Sequence, residues 1–254
     1  MKTRLREGIH DSDEREIKRK RVKKARSRIK TILVIVLCAA AFTCFALSHV
    51  FNISVIEVEG SSHYSKTTLV DMLELSPGDN AFRYLAKDIP GLFMLRYTEE
   101  EERIRKACPY IKDVKVKFTP PAKVLVQVAE RTPVGVLPYL GTSLLMDEEG
   151  YILEAAADNE YGLPVIKGIE FDRYELGKRP FIEKPETLDN AVRLINIINK
   201  EDSGSDFKIY NLINWIDLSD GQQICMLLDS RLVIKLGDLR DIRYKINMLK
   251  TIYE

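Results

Sequence analysis

"PYIKDVKVKFTPPAKVLVQVAERTPVG", residues 109–135, carries two alternating runs on either side of a proline pair. Val114, Val116 and Phe118 alternate with Lys115 and Lys117, and Val124, Val126 and Val128 alternate on the return. A period of two puts these six apolar side chains on one face. The stretch therefore reads as an antiparallel hairpin with one wet face, turned at residues 119–122. "ERTPV" after it reads as a structural junction, with Glu130 and Arg131 paired locally and Pro133 ending the strand.

Moving toward the N-terminus, "TEEEERIRKAC" (98–108) opens on Thr98 with Glu101 three residues later, the spacing of a capping box. Its acidic first turn and its Arg103, Arg105 and Lys106 suit the two ends of a helix dipole. Residues 81–97 are apolar and aromatic around Pro90 and Gly91, and read as a helical turn plus loop. "SKTTLVDMLEL" (65–75) offers Ser65 as N-cap and sets Leu69, Met72 and Leu73 on one helical face. In "FNISVIEVEG" (51–60), Ile56 and Val58 alternate with Glu57 and Glu59 until Gly60 ends a strand. The order is strand, helix, helix, strand, strand: a small α/β unit over residues 52–130.

Before that unit the charge pattern breaks. Residues 1–30 hold 13 Lys/Arg and 5 Asp/Glu, residues 31–56 hold no charged side chain, and the rest holds 26 basic and 33 acidic residues. About 20 helical residues span the roughly 30 Å of a bilayer's hydrocarbon core. Residues 31–51 read as one transmembrane helix, with the basic tail 1–30 cytoplasmic and the acidic bulk extracytoplasmic. A cleaved signal peptide competes, with "ALS" (46–48) as its weak cleavage site. The basic run contains no aromatic for base stacking, so contact with anionic lipid is expected rather than specific nucleic-acid binding.

Residues 131–254 are strand-rich. "SLLMD", "EEG" and "YILE" form a hairpin around Gly150, and "LPVIKG" (163–168) is a short strand closed by Gly168. "KPETLDNAVRLINIINK" is a helix with Pro185 near its start and Leu188, Val192, Ile195 and Ile198 on one side. "FKIYNLINWIDLS", "QQICMLLD" and "RLVIKLG" read as three strands. Leu239, Ile242, Ile246, Leu249 and Tyr253 then form the stripe of a last helix.

No catalytic constellation emerges. His10, His49 and His63 have no second ligand at metal spacing, and no Walker, G-x-S-x-G or G-x-G-x-x-G motif occurs. The acidic "DEEG" (147–150) reads as a turn with solvated carboxylates rather than a general acid–base pair, and Trp215 as a core residue. Cys108 and Cys225 read as unpaired thiols. Catalytic, cofactor and metal residues are expected to be absent, which points to a binding protein.

A basic tail, one anchor and this small unit resemble the bacterial cell-division family FtsQ/DivIB. The motifs run in that family's order: "VEG" (58–60), "PYIKDVKVKF" (109–118), "PPAKVLVQVAERTPVG" (120–135), "LLMDEEG" (144–150), "LPVIKG" (163–168) and "LVIKLGD" (232–238). The resemblance covers roughly residues 20–250. It implies a membrane-anchored α+β protein: one transmembrane helix, a POTRA-like domain over 52–130, and a mixed β-sheet domain with helices over 131–254. It implies a single-pass type II protein at the division septum. Its role would be that of a non-catalytic divisome scaffold, binding the bitopic proteins FtsL and DivIC/FtsB and linking them to septal peptidoglycan synthesis. A membrane-anchored cell-wall enzyme is the alternative.

In the family a further strand follows the helix that matches 238–253; here that strand is either absent or lies beyond Glu254. The strand "RLVIKLG" (231–237) is then expected at an open sheet edge, with Arg231, Val233, Lys235 and Gly237 as partner-binding residues. Leu232, Ile234 and Leu236 should face the core under the last helix.

Overall fold

The computed structural model describes residues 28–85, 89–157 and 161–253. Most of the basic tail lies outside them. The first helix, α1 (Arg28–Ala46), has a mean hydropathy of 2.3 and is the one helix among the described residues long and apolar enough to cross a membrane. It stops five residues short of the expected 51. Asn80 Nδ2 donates to the carbonyls of Ala46 and Ser48 at 3.1 Å each, and His49–Phe51 form a single 3-10 turn. The helix end is thus closed by a side chain from the domain that follows.

That domain contains strand β1 (Val55–Glu59), helices α2 (Lys66–Asp71), α3 (Ala81–Leu85), α4 (Ile89–Met94) and α5 (Thr98–Ala107), and strands β2 (Ile111–Thr119) and β3 (Lys123–Glu130). The sheet order is β1-β3-β2, with β1 parallel to β3 and the β2–β3 hairpin antiparallel. All six alternating residues of the hairpin are buried against Leu69, Ile104, Ile53 and Val58. Ser65 caps α2, its hydroxyl accepting from the Thr68 N–H at 3.0 Å. At Gly60 (φ +82°) a Cβ would stand 2.1 Å from the Val128 carbonyl oxygen, so the chain can cross β3 there only as glycine.

Two local expectations change. Within 81–97, residues 81–85 and 89–94 form two short helices rather than a turn and loop. The capping box does not form: Tyr97 holds the N-cap position, and Glu101 points inward. Its carboxylate accepts the Val116 N–H at 2.9 Å and a two-point contact from Arg96. An otherwise buried strand N–H outcompetes the helix terminus for that acceptor.

The second body is a seven-stranded mixed sheet, ordered β10-β9-β8-β7-β4-β5-β6. Its strands are β4 (Pro133–Tyr139), β5 (Thr142–Asp147), β6 (Ile152–Ala156), β7 (Val165–Lys167), β8 (Ile213–Asp217), β9 (Ile224–Leu228) and β10 (Leu232–Gly237). Helices α6 (Pro185–Ser203) and α7 (Ile242–Tyr253) contribute Leu188, Ala191, Leu194, Ile195, Ile198, Ile242 and Ile246 to one core with the inner face of the sheet. "FKIYNLINWIDLS" is not one strand: Ile209–Leu212 make a 3-10 turn before β8. The Tyr210 N–H is taken there by the Asp202 carboxylate at 2.8 Å, which draws the chain onto α6 and away from the sheet.

Candidate functional site

β10 lies at the edge of the large sheet. It pairs with β9 in the register Leu232 to Leu228, Val233 to Leu227, Ile234 to Met226 and Lys235 to Cys225, with a bulge before Gly237. Alternate backbone groups of such a strand face outward and lack a ladder partner. The four expected residues are not equivalent. Arg231 precedes the strand and ion-pairs with Asp229 in the hairpin turn. Gly237 ends the strand beyond the bulge at φ +71°. Val233, 56% exposed, and exposed Lys235 point to the outer face. On the inner side Leu236 is buried and Ile234 half-buried, as expected, but Leu232 is 46% exposed. It sits beside the β9–β10 turn, opposite Leu228.

The register extends the site inward from the edge. Paired residues share a face, with cross-strand side chains about 5 Å apart. Val233, Leu227, Trp215 and Val165 therefore form a partly exposed apolar row across four strands, beside a row of Lys235, Cys225, Asp217 and Lys167. Trp215 is not a core residue. It is half-buried on the outer face, with Lys167 Nζ 4.6 Å from its ring centroid. A one-residue irregularity between Ile213 and Trp215 leaves Ile216 and Ile213 as the buried side chains of β8. Simple alternation along the sequence does not reveal a row assembled from four separate strands.

Helix α7 runs back along this hairpin. Lys245 Nζ donates to the Asp238 carbonyl at 2.9 Å near its start, and the Tyr253 hydroxyl donates to Asp229 at 3.1 Å near its end. It is held from below by a buried ion pair, Lys250 to Asp202 at 2.7 Å, and by Arg243 and Asn247 on the Glu201 carboxylate. Its outward face carries Tyr244, Met248 and Ile252, all exposed and four residues apart. A spacing of four marks this outer stripe in the sequence, beside the inner stripe of Leu239, Ile242, Ile246, Leu249 and Tyr253.

The acidic turn after β5 has a different role from the one its composition suggests. Asp147 is buried, and its carboxylate ion-pairs with Arg131, which also reaches Glu149 at 2.7 Å and lies 3.8 Å from the Tyr151 ring centroid. Lys112 of β2 bridges Glu148 and Glu149 at 2.9 and 3.1 Å. Hydrogen bonds from Arg131 and then Lys112 hold the Glu149 carboxyl below its usual range. Glu148 and Glu149 tie the two bodies together through Lys112, and Asp147 is neither solvated nor open to a substrate. Among the described residues, no group of three His, Cys, Asp or Glu could hold a metal, and all four cysteines are free thiols.

Comparison with known proteins found no matching family model. By sequence the chain is 23% identical over 200 residues to the cell division protein DivIB of Clostridium tetani, covering 78% of this chain and 68% of that one. It is 24% identical over 237 residues to DivIB of Clostridium botulinum strain Hall, covering 89% and 82%. It is 29% identical over 132 residues to the cell division protein FtsQ of Anaeromyxobacter, covering 52% and 40%. Among solved structures, the major extracytoplasmic domain of DivIB from Geobacillus stearothermophilus superposes with a TM-score of 0.31 and 10% identity, over 47% of this chain and 87% of that one.

Proposed function

As a member of the FtsQ/DivIB family of cell division proteins, this membrane-anchored chain is, we propose, a non-catalytic scaffold of the division septum. It binds bitopic division proteins of the FtsL and DivIC/FtsB type and links them to septal peptidoglycan synthesis. Its N-terminus is cytoplasmic, its tail contacts anionic lipid, and both globular bodies lie outside.

The observation that carries the reading is the open edge of β10 beside an uncovered face. A strand from a partner would add to β10 through main-chain hydrogen bonds, each worth about 0.5–1.5 kcal/mol net. It would extend the apolar row that begins at Val233 and the polar row that begins at Lys235. Selectivity would come from those side chains, with Tyr244, Met248 and Ile252 of α7 as a second contact for a helical segment of the same partner.

Two variants test it. Lys235→Pro removes one backbone donor while its side chain stands in solvent, and Val233→Glu places a charge at the head of the apolar row. Each is expected to keep a cooperative melt within a few degrees of the parent and to weaken capture of the FtsL/DivIC-type partner by about tenfold, or roughly 1.4 kcal/mol. Undiminished capture by both folded variants would move the docking site elsewhere, first to another edge strand, β1, and the groove between β1 and α2.

A further inference from the structure

The end of the small domain nearest α1 is built from three strips of chain. Ser54 N–H donates to the Ala122 carbonyl at 2.7 Å, so the β2–β3 turn lies beside the point where the chain leaves α1. Asn80, which opens α3, closes the last turn of α1. The Phe118 N–H donates to the Leu95 carbonyl at 2.7 Å, which places the residues after α4 on the outer edge of β2 at this same end. From β1 to β2 is two strand spacings, roughly 10 Å. Helices α3 and α4 therefore lie within a short lateral distance of the α1 exit.

The connection is stiff. Phe45 of α1, Phe51, Phe82 of α3 and Phe118 of β2 form a chain of edge-on rings with centroid separations of 5.1, 5.1 and 5.7 Å. Side-chain capping and ring packing together fix the domain against the helix end rather than leaving it on a tether. At this end α4 turns Leu92 into the core, while Phe93 is 85% exposed and Met94 62% exposed. Two large adjacent apolar side chains held in water beside a membrane span are costly, and an aromatic next to basic groups suits the headgroup layer. Arg83 and Lys117 are exposed cations at the same end.

We infer that helices α3 and α4 rest on the membrane surface from which α1 emerges, with Phe93 and Met94 inserted at the level of the lipid headgroups. The occupant of the patch is lipid because the patch continues the membrane contact that α1 begins. The inference rests on α1 spanning the bilayer. Its consequence is a small domain that sits on the membrane at a fixed tilt and sets the height of the large sheet above it.

The test uses the full chain in phosphatidylcholine bilayers, with Trp215→Phe removing the native tryptophan. Single tryptophans are placed by Phe93→Trp, by Met94→Trp as a second reporter, by Leu37→Trp in mid-α1, and by Leu140→Trp at the 90%-exposed tip of the β4–β5 hairpin. Each variant is first required to melt cooperatively. Lipid brominated near the headgroup should reduce Phe93→Trp or Met94→Trp emission roughly twofold and leave Leu140→Trp unchanged, while mid-chain bromine should quench Leu37→Trp. If Leu37→Trp is quenched and residues 93 and 94 behave like residue 140, the inference is overturned and the span stands. A blue-shifted but unquenched signal at 93 and 94 means that protein covers the patch, which also overturns it. An unquenched Leu37→Trp overturns the span and the inference together.

Discussion

At the scale of the residue, Glu130 departs most from its neighbourhood in the sequence. It does not pair with Arg131. Its carboxylate gathers the Ser62 and His63 N–H groups, at 2.9 Å at closest, with the hydroxyls of Ser61 and Ser62 at 3.0 and 2.6 Å. Burial alone would raise this carboxyl, but the hydrogen bonds from Ser62, His63 and Ser61 outweigh it and take it from 4.5 to about 2. A folded pKa below the unfolded one stabilises the charged form. The contribution is complete above about pH 4.5 and is lost as the pH falls through about 2. Glu130→Gln should therefore cost about 2 kcal/mol at neutral pH. Its melting temperature should approach that of the parent as the pH drops from 5 to 2. Equal differences across that range would show that the carboxylate charge is not the stabilising element.

At the scale of the element, α7 depends on a buried pair rather than on its apolar stripe alone. Lys250 and Asp202 are both almost fully buried, and Asp202 also accepts the Tyr210 N–H. Removing one member leaves a buried charge without its partner. Lys250→Met is expected to lower stability by about 3 kcal/mol. The double variant Lys250→Met, Asp202→Leu should recover part of that, with the Tyr210 N–H still short of an acceptor. Chemical denaturation of the four corners of this cycle measures it, and additive losses would show that the two side chains do not interact. Because α7 flanks the β9–β10 hairpin, the single variant should also loosen the proposed partner site.

At the scale of the whole molecule, the described residues form two sheets and two separate hydrophobic clusters. Polar contacts join the bodies: Tyr110 to Glu154 at 2.7 Å, and Lys112 to Glu148 and Glu149. Burial and then the Glu154 contact hold the Tyr110 hydroxyl well above its usual range. We propose that residues 52–130 are an autonomous domain, since no apolar side chain of their cluster is shared with the other. Expressed alone, they should melt cooperatively with both helix and sheet signals in circular dichroism. A disordered spectrum would mean that the junction, rather than the small core, holds them folded.

Much of this was legible in the one-dimensional pattern because its causes are local. Alternation along β2 and β3 depends only on the pleat, and the stripe of α6 only on the helical turn. The Ser65 cap follows from a hydroxyl three residues before an N–H, and the uncharged run of residues 31–56 from the cost of charge in hydrocarbon. The tertiary structure decided what depends on distant partners. It took Glu101 from a capping box to a strand N–H, separated Glu130 from Arg131, and turned Trp215 outward. It also joined Val233 to Leu227, Trp215 and Val165 across four strands. A buried donor or acceptor must be satisfied by whatever the fold brings near, and a sheet register is a relation between strands; neither is a property of any single stretch of sequence.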